Sequence, residues 1–313
     1  MRLKPTVIVA IGVVFTSLSS ILIRLSDAPP LAVASWRMVF TTILLAPLYL
    51  HERLRAPQAT AAAGPAAGGS AAGPAAAASG TLRTAVALSA ASGAFLALHF
   101  ALWITSLSYT SVASSTVLVT THPIIVAIAG FFLLGERVPL RKAVFLVTAL
   151  AGSVVLVWGG LFEGESQVLG NLLAWLGAVA VSGYMLLGRV VRRRLSVNAY
   201  TMICYPVAAL LLGIASALFR VPLSPYPIRE FAIFIALALF CTLLGHSLFN
   251  WALEYVQTTV VSTSILGEPV IASLLALLLF GETPTITTLL GGAVILGSIY
   301  LFTTTAGTTR WRQ

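Results

Sequence analysis

Residues 122–139 read HPIIVAIAGFFLLGERVP, and residues 268–284 read EPVIASLLALLLFGETP. Sliding the chain by 146 positions lays Pro123 on Pro269 and Gly135-Glu136 on Gly281-Glu282, with an apolar run of equal length between them. With a one-residue gap, Pro139 then meets Pro284, and Gly152-Ser153 meets Gly297-Ser298. Upstream, Tyr109 falls on Tyr255, while Gly12 and Arg24 align with Gly177 and Arg189 at a slightly different shift. Landmarks recurring in one order at a long fixed offset mark an internal duplication. The chain reads as two related halves, 1–160 and 161–313, with the boundary near Gly160–Gly170.

The environment follows from composition. Of the 313 residues, 58% are hydrophobic and only 9% charged, against about 25% charged in a soluble domain. A water-facing surface cannot hide that excess, whereas a bilayer accepts it. One helical crossing needs about 20 apolar residues. Candidate spans are 6–24, 30–50, 84–106, 110–134, 140–158, 169–189, 199–220, 230–252, 258–280 and 284–304. Each should be helical, because lipid offers backbone groups no hydrogen-bond partner. The predicted class is an all-α membrane protein of ten transmembrane helices. The N-terminal Met-Arg-Leu-Lys-Pro followed by an apolar run is expected to be an uncleaved first helix, since the run is long and no small-x-small cleavage pattern closely follows it. The Ala/Gly/Pro-rich stretch 56–80 is expected to be a flexible linker.

The formal charge is +9 with pI near 10.2, which in a soluble chain would suggest nucleic acid. Here the basic residues sit at span ends. Placing the N-terminus in the cytoplasm puts fourteen of the 18 Lys and Arg on that side. Only Arg24, Arg220 and Arg229 lie outside, with Arg37 inside the second span. That is a strong positive-inside bias. It argues for both termini in the cytoplasm of an inner (plasma) membrane and against a nucleic-acid partner. The Arg192-Arg193-Arg194 run reads as an orientation signal that contacts anionic lipid. Five helices per half is an odd number, so the halves are inverted with respect to one another. Inverted repeats give a protein two similar packings, one open to each side.

The paired halves, the Gly135-Glu136-x-x-Pro139 and Gly281-Glu282-x-Pro284 elements and the Ala34-Ser35-Trp36-Arg37 stretch resemble the drug/metabolite transporter superfamily, in its ten-helix EamA-like branch. The resemblance covers the whole chain apart from the Ala/Gly/Pro insert. It implies a central cavity and secondary transport, by export or exchange, of metabolites, amino acids or drug-like compounds, often driven by an ion gradient. It does not single out a substrate.

Ionisable groups inside a bilayer are costly and are functional candidates by default. Glu268, followed by Pro269, lies near mid-depth, and its repeat mate is His122, followed by Pro123. Proline removes a backbone hydrogen bond and disturbs the preceding turn. Glu268 is a candidate for carrying a proton or for pairing with a cationic substrate; an internal lock with Arg37 is the structural alternative. His122 is a candidate proton relay or substrate contact, or a satisfied interhelical histidine. Arg37 suits a substrate carboxylate or phosphate, and can equally snorkel or pair with an acid. His99 with Trp103, and His246 with Asn250 and neighbouring Trp251, fall in repeat-related helices at helical spacing and are candidate cavity residues, with Tyr184 a weaker one. Glu136 and Glu282 are expected to pin helix ends through backbone amides or Arg137. Cys204 and Cys241 read as small apolar residues, with no metal-ligand or disulfide spacing.

No Walker A loop, Rossmann fingerprint, zinc-protease motif or nucleophile elbow occurs. No cofactor, metal or enzymatic activity is expected. Rival readings are an uncoupled facilitator or exchanger, an intramembrane enzyme acting on a lipid-linked substrate, and a structural or receptor-like protein. A proton is the candidate coupling ion, and a monomer or homodimer would suffice.

Overall fold

The computed structural model describes residues 4–62, 74–110, 112–157, 165–281 and 286–305, and every regular element among them is helical. The first half holds α1 (Pro5–Arg24), α2 (Pro30–Ala62), α3 (Pro74–Ser106), α4 (Val112–Val119), α5 (His122–Leu134) and α6 (Leu140–Val157). The second holds α7 (Glu165–Arg192), α8 (Val197–Leu218), α9 (Ile228–Ala236), α10 (Ser247–Ala252), α11 (Thr258–Ile265), α12 (Glu268–Phe280) and α13 (Ile286–Thr304). A π-helical stretch, Leu237–His246, joins α9 to α10 in one rod.

Among the described residues, eight helical runs are long and apolar enough to cross a bilayer, and Leu289–Thr304 is a shorter apolar helix. The α6 helix, 18 residues long, packs against α13. Outward faces carry large apolar side chains, with Phe132 and Leu278 each 77% exposed. Such surfaces are stable against acyl chains and not against water. The chain is an all-α, multi-pass membrane protein.

The break in each of two rods falls just before the proline noted in the sequence. The α4 helix ends at Val119 and α5 begins at His122-Pro123; α11 ends at Ile265 and α12 begins at Glu268-Pro269. Proline fits a first helical turn, where its missing N–H removes nothing. The Gly-Glu elements have an equally local cause. Gly135 and Gly281 take left-handed φ of 66° and 67°, which glycine adopts without a Cβ penalty. At α5 this lets the Glu136 amide donate back to the Gly130 carbonyl at 3.0 Å, a Schellman-type stop, and it turns the Glu136 side chain into the protein.

Packing repeats between the halves. The α3 helix packs on α7, and α1 on the π stretch; α4 and α5 lie on α7, and α11 and α12 on α1; α2 faces α8, and α5 faces α11. Exchanging corresponding rods of the two halves leaves this pattern unchanged. Close approach requires small residues. A Cβ on Gly93 of α3 would stand 2.4 Å from the Cys204 carbonyl oxygen of α8.

One expectation changes. Helix runs through 56–62 and 74–80, where the sequence predicts a flexible linker; alanine is the strongest helix former, and it outweighs the Gly-Pro signals at both ends of the insert. Residues 63–73 lie outside the described residues, as does Glu282. Cys204 and Cys241 are buried and form no disulfide, as their apolar setting suggested.

Candidate functional site

The breaks before His122 and Glu268 meet in the middle of the bundle. A cavity there is lined by Thr16 and Ser19 of α1, His99 and Trp103 of α3, Thr120 and His122 at the α4–α5 break, Val181 of α7, His246 and Phe249, and Ile265 and Glu268 at the α11–α12 break. Five of the sequence candidates, Glu268, His122, His99, Trp103 and His246, thus share one wall system. The cavity encloses about 40 Å³, room for a water or two and far below the several hundred Å³ of a ligand-filled site. This conformer is constricted at its centre.

Each lining group is fixed from behind. The His99 Nδ1 lies 3.0 Å from the Gly177 carbonyl oxygen, and its ring stacks on Trp103 at 5.8 Å. The His122 Nδ1 lies 3.1 Å from the Val119 carbonyl oxygen, one that the helix break leaves available. The His246 ring stands edge-on to Phe100 at 5.5 Å. The Thr16 hydroxyl, on the same wall as Glu268, reaches the Gly12 and Val13 carbonyl oxygens of its own helix.

The other candidates lie elsewhere. Arg37 is fully buried and does not snorkel. It donates from Nε to Thr242 Oγ1 at 2.8 Å and from Nη1 to Ser19 Oγ at 3.0 Å, and its guanidinium covers the Phe100 ring at 4.2 Å. It stands one layer behind the cavity and ties α2 to α1 and the π stretch. Thr242 is positioned for this by the π register, its hydroxyl also reaching the Leu237 carbonyl five residues back. Asn250 and Tyr184 form a floor: Asn250 Nδ2 donates to Tyr184 at 2.6 Å and to Tyr205 at 3.2 Å. Trp251 packs against Tyr255, ring centroids 4.5 Å apart and tilted by 41°, and does not line the cavity.

Below that floor the bundle is locked. Arg189 donates to the Leu253 carbonyl and lies 3.4 Å from Glu136. Glu136 accepts from the Thr258 amide and hydroxyl at 3.1 and 3.3 Å. Arg192 donates to the Asn250 carbonyl at 3.0 Å and pairs with Glu254. Arg192 is 3% exposed, which corrects its reading as a lipid-facing signal; Arg193 and Arg194 do face outward. Glu136 pins a backbone amide as expected, with Arg189 rather than Arg137 as its cation. Nothing local marked these two arginines, because their partners are remote in sequence.

At the opposite end a second cavity of about 260 Å³ opens between the same two lining helices, one turn further on. Its walls include Ser20, Ile23 and Arg24 of α1, then Ile104, Leu107 and Ser108 after His99 and Trp103. The loop after α1 is anchored beside it, with Ser26 and the Asp27 amide bound to Glu230. Outside the helices, Tyr226 ionises above the ordinary tyrosine range, because it is partly buried and near the Glu230 carboxylate.

A helical bundle with broken rods meeting around a buried polar centre, open at one end and tied shut at the other, defines a membrane transporter. The chain belongs to the EamA-like transporter family, whose model matches residues 4–158 and again 168–304. Relatives include an uncharacterized transporter of Archaeoglobus fulgidus, 24% identical over 66% of this chain and 72% of that one. Another, from Clostridium kluyveri, is 23% identical over 62% of this chain and 64% of that one. A crystal structure 20% identical superposes with a TM-score of 0.72 over 98% of this chain and the whole of the other, a likeness of fold.

Proposed function

We propose that this chain is a secondary transporter that exports a small metabolite across the plasma membrane by alternating access of two inverted five-helix repeats, 1–160 and 161–313. Ten crossings with both termini cytoplasmic are the arrangement that satisfies the charge bias. The Arg189 end is then cytoplasmic and the 260 Å³ cavity faces out.

One observation carries this reading. Under the 146-residue offset, Ile104, Leu107 and Ser108 correspond to Asn250, Leu253 and Glu254, and Arg24 corresponds to Arg189 at the separate offset of 165. The first set lines an open cavity; the second is bonded to Arg189 and Arg192. Equivalent positions therefore line a cavity at one end and are fastened at the other. Exchange of the two conditions is what repeat symmetry permits. In the reverse state the cavity beside Arg24 and Leu107 would close while Arg189 lets go of Leu253. Glu268 and His122, at the breaks, are the proposed coupling or binding groups.

Cysteines introduced at Leu107 and at Leu253, in a chain whose own two cysteines are replaced, test the exchange. In this conformer a membrane-impermeant thiol reagent labels position 107 from outside and spares 253. Conditions that protect 107 should expose 253 from the cytoplasmic side. Independent labelling of the two sites would overturn alternating access.

A further inference from the structure

The polar atoms around the central cavity are unbalanced. A carbonyl oxygen can only accept, so the contacts to Gly177 and Val119 place the hydrogen of each ring on Nδ1 and leave Nε2 of neutral His99 and His122 as acceptors. The His122 Nε2 is buried with no partner. Glu268 adds a carboxyl group. The hydroxyl of Thr120 donates to the Val117 carbonyl, and the single hydrogen of Thr16 is shared by two backbone carbonyls of its own helix. Ser19 Oγ accepts from Arg37 and keeps its own hydrogen to donate. His246 contributes one donor and one acceptor among aromatic rings. Against this excess of acceptors, Trp103 Nε1 is buried with no partner, a spare donor on the same wall.

Resting on the transporter reading, we propose that the substrate is a small organic amine in its N–H-bearing cationic form, carrying an acceptor oxygen near the nitrogen. Its ammonium hydrogens bond the Glu268 carboxylate and Nε2 of His99 and His122, and its oxygen takes the Trp103 indole N–H. Buried acceptors left unmatched are costly, so a site built to receive N–H groups discriminates strongly against analogues that lack them. Arg37, one layer back, offsets the Glu268 charge and favours a ligand with an electron-rich oxygen over a bare cation. Phe249, Trp103 and Ile265 supply apolar walls for the remainder.

The test is thermal unfolding of the purified full-length protein with matched probes. Ethanolamine and phenylalaninol carry N–H groups; choline and N,N,N-trimethylphenylalaninol keep the charge without them; glycolate and phenyllactate carry oxygen and negative charge. A ligand that binds the folded state raises the melting temperature as its concentration rises. At least one of the two N–H amines should stabilise the protein, its trimethyl counterpart and the anions should not, and Glu268→Gln should weaken the effect about tenfold or more in concentration. Equal stabilisation by the trimethyl compounds, preferential stabilisation by an anion, or no effect from any of the six overturns the proposal. If Glu268→Gln does not fold, the wild-type contrast between each amine and its trimethyl form decides alone. Labelling at Leu107 and Leu253 needs no ligand, so failure of the amine assignment and failure of alternating access give separate signatures.

Discussion

The guanidinium of Arg189 lies 3.4 Å from the carboxylate of Glu136, both side chains no more than 4% exposed, although 53 positions separate them and they belong to different halves. A buried pair of this kind holds two charges that neither side could leave unmatched. Removing one partner costs about 3–5 kcal/mol. Glu136→Gln and Arg189→Gln should each lower unfolding stability on that scale, and the double variant should lose less than the sum. A double-mutant cycle by chemical denaturation measures the coupling; strict additivity would mean that the two groups do not interact.

Glu268→Gln tests proton coupling. If Glu268 takes up a proton on the outside as substrate leaves and releases it inside as substrate binds, a gradient acidic on the outside accelerates export in wild-type liposomes. The variant keeps the side-chain shape and loses that acceleration. The groups facing this carboxyl are Arg37, Cys241, Thr16 and the cavity histidines; of these only a histidine exchanges a proton in the same range, so gradient dependence that persists in the variant points to His122. Unchanged gradient dependence in the variant removes Glu268 from coupling.

Arg37→Lys separates support from recognition. A lysine ammonium cannot serve Thr242 and Ser19 while covering the Phe100 face. The expected result is a loss of about 2 kcal/mol or more in stability, with an unchanged KM for transport in whatever protein remains folded. A raised KM at normal stability would instead make Arg37 a substrate contact.

Gly93→Ala should destabilise the contact between α3 and α8, since its methyl would stand 2.4 Å from a backbone oxygen. Overpacking of this kind costs about 1–3 kcal/mol. Gly213→Ala, where no atom lies within 4 Å, is the control and should be neutral or gain up to about 1 kcal/mol in helix propensity. Equal melting temperatures for the two variants would contradict the packing.

Local chemistry made much of the architecture legible in the chain. Apolar run lengths announce helices in lipid, and the His122-Pro123 and Glu268-Pro269 pairs mark where two rods are broken. Gly135 and Gly281 mark where the left-handed stops fall. The grouping of Glu268, His122, His99, Trp103 and His246 was also within reach, because the repeat places them at matching depth. At the ends of the insert the Gly-Pro pairs signal a break, yet the alanines beside them carry helix through 56–62 and 74–80.

The sequence alone determined that the chain is a helical membrane protein with a recurrent motif, since periodicity, apolar length and charge bias are properties of neighbours along the chain. Only the tertiary structure decided what the charges do. Arg37 became a strut, Arg192 a buried fastener and Glu136 the partner of Arg189, because each meets groups that are far away in sequence and come close only when the two halves pack. Burial and partner choice are set by that packing, and no local pattern encodes them.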